Sequence, residues 1–152
     1  IYGGSYGGYA ALTGAFREPE LFRCAIGLAG VYDLSLMFEK GDIQSVESGI
    51  NYLEKAVGTD PEELKRRSPV YNADKIKAKV LLLHGKLDER VPLEHAKRMR
   101  EALERAGNPP EWSTEWGEGH GFFDEANRAA AYERILQFLS NNLASADAAT
   151  AP

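Results

Sequence analysis

Three short stretches hold the residue types of acyl-transfer chemistry. Gly3-Gly4-Ser5-Tyr6-Gly7 fits G-x-S-x-G, the pattern in which a serine sits on a sharp strand-to-helix turn with its hydroxyl exposed. A serine hydroxyl is a weak nucleophile until a base takes its proton. The imidazole that does so needs a carboxylate to fix its tautomer and stabilise the imidazolium. Asp88, in HGKLDERVP, and His120, in GEGHGF, follow Ser5 in the order acid then histidine, the order expected when the nucleophile occupies such a turn. Glu89 is the competitor of Asp88 for the acid role. His84 ends an apolar run and reads as structural, and His95 lies on the charged side of a helical stretch and reads as a surface residue.

The four glycines between Gly3 and Gly8 mark a backbone that other residues could not follow, because glycine loses more freedom on folding than any other residue. The expectation is a turn so tight that the residues two before and two after Ser5 must lack bulk, with the N–H of Tyr6 aimed at a developing oxyanion. The alternatives are a glycine-rich loop that packs a helix on a strand, or a phosphate cradle. Against the second, the sequence has neither G-x-G-x-x-G nor a Gly-Lys-Ser/Thr ending.

These residues need a scaffold that brings them to one edge. Ile1-Tyr2 reads as the stump of a strand, Tyr6–Arg17 as a helix stopped at Glu18-Pro19, and Cys24–Leu28 and Val80–Leu83 as buried strands. Thr59-Asp60-Pro61-Glu62-Glu63 is a helix start. Pro92–Ala106 repeats apolar residues at steps of three and four before Gly107, and Glu111–Trp116 suggests a third full strand. Glu125–Leu143 reads as a closing helix with Ala129, Tyr132, Leu136, Leu139 and Leu143 on one face. The alternation implies an α/β fold, a mostly parallel sheet flanked by helices. Residues 31 to about 75 are a long excursion without a clear second core, a length typical of binding loops or lids. Residues 1–143 form one domain, and 144–152 form a disordered tail with nothing to bury.

Composition narrows the function classes. The chain has 152 residues, 43% hydrophobic and 27% charged, and a net charge of −5 with both signs interleaved; this gives no footprint for nucleic acid. CAIGLAGV and KVLLLHG are too short to cross a membrane. No metal or other cofactor is implied. Cys24 is the single cysteine and, in its apolar setting, reads as an inert core thiol.

Taken in order, GGSYGGY, HGKLDERVP and GEGHGF resemble the C-terminal catalytic domain of the prolyl oligopeptidase family of serine peptidases, within the α/β-hydrolase superfamily. The resemblance runs from Ile1 to about Leu143. Asp88-x-Arg90-Val91-Pro92 with Glu118-Gly119-His120-Gly121-Phe122 looks most like the acylaminoacyl-peptidase and dipeptidyl-aminopeptidase branches. It implies that Ser5 attacks the carbonyl of a short peptide, His120 shuttles the proton, Asp88 orients His120, and the Tyr6 N–H is one oxyanion donor. It also implies an apolar P1 pocket from Tyr6, Val31, Leu34, Met37 and Val91. Leu34 and Met37 stand where some relatives place bulky aromatics, which argues against strict proline selectivity; the same residues could simply close the core beneath the excursion. Arg90 could bind a substrate carbonyl, or pair with Glu89 or Glu94 on the surface.

The family's second oxyanion donor, a tyrosine, together with its first strands and its N-terminal β-propeller, would lie upstream of Ile1. The expectation is therefore a fragment of a longer protein that acts weakly by itself. A cytoplasmic location is favoured, with periplasm or secretion open, and the oligomeric state is not indicated. An esterase on the same fold and an inactive interaction module are the competing readings.

Overall fold

The computed structural model describes residues 1–143; the expected tail, 144–152, lies outside the described residues. Four strands, β1 (Tyr2–Gly4), β2 (Cys24–Leu28), β3 (Lys79–Gly85) and β4 (Glu111–Glu115), form one sheet in the order β1-β2-β3-β4. Every neighbouring pair is parallel, with Tyr2 opposite Ile26, Ile26 opposite Leu81, and Leu81 opposite Glu111. Parallel neighbours require a crossover between them, and α1 (Tyr6–Arg17) supplies the first. The excursion supplies the second, with α2 (Glu47–Ala56), α3 (Pro61–Arg67) and three 3₁₀ turns; α4 (Glu94–Arg105) supplies the third, and α5 (Glu125–Leu143) closes the chain.

Strand side chains alternate between faces, and the sheet is covered on both. Ala25, Val80 and Leu82 meet Ala11, Leu12 and Ala15 of α1 and Ala96, Met99 and Leu103 of α4. On the opposite face Cys24, Ile26, Leu81 and Leu83 meet Ala131, Ile135 and Phe138 of α5. The buried face of α5 is thus not the expected one. Tyr132, Leu136 and Leu143 are exposed, as is Ala129, and of the expected face only Leu139 packs partly on the core. Both stripes recur at helical spacing, so periodicity could not choose between them. The outer edge of β1 has no strand partner among the described residues.

The excursion also departs from expectation, because it has a core of its own. Val31, Leu34, Leu64 and Val91 cluster there, with Tyr9, Met37, Phe38 and Val57 packed against them. Asp60 caps α3 by accepting from the Glu62 and Glu63 N–H groups, with Pro61 in the first turn. The buried Ser68 hydroxyl accepts from Leu34 N–H at 2.9 Å and donates to Leu64 C=O at 2.7 Å, which ties the two ends of this small core together.

His95 is buried, not on the surface: it is 1% exposed, and its Nδ1 accepts from the N–H groups of Tyr32 (3.3 Å) and Asp33 (3.4 Å). It lies four residues before Met99 and seven before Ala102, on the inward arc of α4. Burial depresses its pKa to about 4, against the opposing pull of Asp33. A neutral ring with Nδ1 free to accept is what those two N–H groups require.

Candidate active site

Ser5 follows β1 directly and enters α1 with φ 55° and ψ −119°, a left-handed φ that costs a non-glycine residue energy and persists only where the surroundings enforce it. The enforcement is visible. Ser5 N–H donates to Leu28 C=O at 2.8 Å, and Ser5 C=O accepts from Gly8 N–H at 2.9 Å and Tyr9 N–H at 3.2 Å. A Cβ on Gly3 would collide with the Gly7 backbone, and one on Gly8 would come within 2.8 Å of Gly30 Cα. Gly7, two residues after the serine, has open space where a Cβ would sit. The requirement for no bulk therefore falls on Gly3 and Gly8; Gly7 contributes the backbone that Gly3 must clear.

Asp88 lies three residues past β3 and His120 five past β4, so all three residues sit at the C-terminal ends of parallel strands, the edge where open α/β sheets bind ligands. Ser5 Oγ is 2.9 Å from His120 Nε2, and His120 Nδ1 is 2.9 Å from Asp88 Oδ2. Glu89 is exposed and outside this cluster. The Asp88 side chain is fully buried, and its Oδ1 accepts from the N–H groups of Arg90 (3.0 Å) and Val91 (2.8 Å). Burial by itself would raise the pKa of this carboxyl; the bonds from His84, Val91 and His120 outweigh it and hold the pKa below the ordinary value. An ionised Asp88 fixes the proton on His120 Nδ1, leaving Nε2 to accept from the Ser5 hydroxyl.

Two buried residues hold the loops: Glu118, given no role of its own in the sequence, and His84, which reads there as structural. Glu118, 2% exposed, accepts from Phe123 N–H (2.8 Å), Asp124 N–H (3.1 Å) and Asn127 Nδ2 (2.8 Å), and these bonds, that of Asn127 foremost, lower its pKa. Its C=O accepts from Leu87 N–H at 2.9 Å, joining the histidine loop to the acid loop. Gly85 permits that approach, since a Cβ there would collide with the carbonyls of Glu118 and Gly119. The second support is His84, fully buried at the end of β3. The only signal was the polar residue itself at the end of an apolar run.

Beside Ser5 opens a cavity of about 840 Å³, lined by Tyr6, Val31, Leu34, Met37, Arg90 and Val91, the six residues expected of a substrate pocket. Tyr9, Asp42, Tyr52, Val57 and Arg67 also line it. Val31, Leu34, Met37 and Val91 belong at the same time to the small core of the excursion, so closing a core and lining a cavity are not alternatives here. Arg90 pairs with Asp42 at 3.0 Å, not with Glu89 or Glu94; the path of the excursion, which no local pattern gives, brings Asp42 across. The Tyr6 N–H is the first of α1, where N–H groups have no partner within the helix and the helix dipole is positive.

A hydroxyl on an imidazole whose other nitrogen faces a buried carboxylate, next to a helix N-terminus and an apolar cavity, is an arrangement able to form and resolve an acyl intermediate. The comparisons with known proteins point to a family of peptidases. The model of the prolyl oligopeptidase family matches residues 1–146. Dipeptidyl aminopeptidase BIII of Pseudoxanthomonas mexicana is 33% identical over 86% of the chain. Among solved structures, a puromycin-hydrolysing peptidase of Mycobacterium tuberculosis has a TM-score of 0.84 at 30% identity over 94% of the chain. The acylaminoacyl peptidase of Pyrococcus horikoshii has one of 0.79 at 26% identity, also over 94%. The chain spans 19%, 22% and 24% of the lengths of these three proteins.

Proposed function

Since this chain belongs to the prolyl oligopeptidase family, we propose that it is part of the catalytic domain of a serine peptidase, and that Ser5, His120 and Asp88 cleave short peptides through an acyl-enzyme. Ser5 Oγ attacks the peptide carbonyl carbon while its proton passes to His120 Nε2, and Asp88 stabilises the imidazolium. The Tyr6 N–H faces the oxyanion. Collapse of the tetrahedral intermediate breaks the C–N bond, and His120 returns the proton to the leaving amine. Water, deprotonated in its turn by His120, then attacks the acyl carbon, the bond to Ser5 Oγ breaks, and His120 returns the proton to Ser5. The P1 side chain enters the cavity of Tyr6, Val31, Leu34, Met37 and Val91, with Arg90 at its rim.

The observation that carries this reading is the continuous bond from Ser5 Oγ through His120 to a buried Asp88, 2.9 Å at each link. The test is to express the full-length protein and compare turnover of a peptidyl anilide with that of a short acyl ester. The expected result is turnover of the anilide, abolished by Ser5→Ala. Turnover of the ester alone would assign an esterase on the same fold, and turnover of neither would assign a scaffold without hydrolytic function.

A further inference from the structure

We propose that His84 is a positioning residue for this chemistry, a clamp that sets the acid loop and through it the orientation of Asp88; the role rests on the peptidase reading above. His84 is the penultimate residue of β3 and has no exposed surface. Its Nε2 lies 2.7 Å from the carbonyl oxygen of Val91. A carbonyl can only accept, so Nε2 carries the proton and donates. The same nitrogen is 3.4 Å from Asp88 Oδ2, the oxygen that faces His120.

Val91 is therefore gripped from both sides: its C=O accepts from His84, and its N–H donates to Asp88 Oδ1 at 2.8 Å. One rigid ring at the end of the central sheet fixes the four-residue loop 88–91, and the loop fixes the carboxylate. The bonds run from β3 to Val91, from Val91 to Asp88, from Asp88 to His120 and from His120 to Ser5.

A merely structural histidine would be expected to satisfy both ring nitrogens. Among the described residues Nδ1 of His84 is buried with no hydrogen-bond partner, a cost that an apolar side chain of similar size would avoid. What the imidazole supplies and an apolar residue cannot is the single N–H donated to Val91 C=O, with the same nitrogen 3.4 Å from Asp88 Oδ2. The ionisable groups that face it are Asp88 from the acid loop and His95 from α4.

The test is made in the full-length protein with a peptidyl anilide and with a fluorophosphonate probe. Small displacements of a catalytic group can cost about 10²-fold in rate. His84→Leu is expected to lower kcat by roughly 10-fold to 100-fold with little change in KM, and to slow labelling of Ser5 in parallel. His84→Gln, whose amide N–H reaches the position of Nε2, is expected to recover most of that loss. Should His84→Leu not fold, His84→Asn takes its place, since its shorter amide keeps polarity but cannot reach Val91, and it is expected to lose kcat as Leu does. A wild-type kcat in the folded Leu or Asn variant overturns the proposal, and so does a loss that Gln fails to recover. Wild-type protein inert to both anilide and probe would instead defeat the peptidase reading.

Discussion

The two sides of Ser5 are built differently. Towards Asp88 and His120, short bonds link groups of which Asp88 and His84 are fully buried, and each loop is tied to the next through backbone atoms. Towards the cavity the walls are mostly apolar side chains of the excursion, with Tyr6 and Tyr9 of α1 and Val91 of the acid loop, and the charged pair at the rim, Arg90 with Asp42, is exposed on both partners. Buried bonded groups have one geometry and lose much when a partner is removed. Exposed ion pairs contribute little, and apolar walls tolerate changes of shape. The first side should therefore govern kcat and the second KM.

The largest effect is expected on the first side. Asp88→Asn keeps the shape but allows the wrong His120 tautomer, and kcat should fall by about 10⁴-fold with the fold intact, as read from anilide turnover alongside circular dichroism. A drop of only a few-fold would place the orienting group elsewhere and erase the contrast between the sides.

A smaller effect concerns His95, which ties the start of the excursion to α4. Its pKa in the folded protein, about 4, lies below the ordinary value of 6.5. Above about pH 6.5 the ring is neutral in both states and contributes no pH dependence. As pH falls below that value the unfolded chain takes up the proton first, so stability drops until about pH 4 and then levels off, by about 3 kcal/mol in all. Denaturant midpoints measured from pH 7.5 to 4 should show this slope in the wild type and a shallower one in His95→Gln. Equal slopes would remove His95 as the cause.

The smallest effect is expected at the rim. Arg90→Ala should raise KM a few-fold and leave kcat and thermal stability nearly unchanged, because an exposed pair of this kind is worth about 0–1 kcal/mol. A loss confined to kcat would show that Arg90 belongs with the catalytic side after all.

Elements with a local signature were legible in the sequence. Tyr6–Arg17, Cys24–Leu28 and Glu125–Leu143 are bounded by features carried within them or beside them, such as the glycine turn, the Glu18-Pro19 step and the buried-strand run. The approach of Ser5, Asp88 and His120 was legible too, because strand-end placement is set by topology, not by the composition of the loops. What was not legible depends on distant partners. The buried face of α5 is chosen by Cys24, Ile26, Leu81 and Leu83 across the sheet. His95 is drawn inward by two N–H groups over sixty residues away, and Asp42 reaches Arg90 only through the path of the excursion. Polar residues inside a helical or strand pattern read as surface or structural until their partners are known, which is why His95 read as a surface residue.

Activation of Ser5 as a nucleophile by His120 is measured most directly by the site of covalent capture. The full-length protein is treated with a fluorophosphonate, digested and mapped by mass spectrometry, in the wild type and in His120→Ala. The wild type is expected to carry the label on Ser5 and on no other serine, the buried Ser68 included, and His120→Ala is expected to suppress the labelling. A label on Ser35 or Ser68, or a Ser5 label that forms as fast without His120, would contradict that activation.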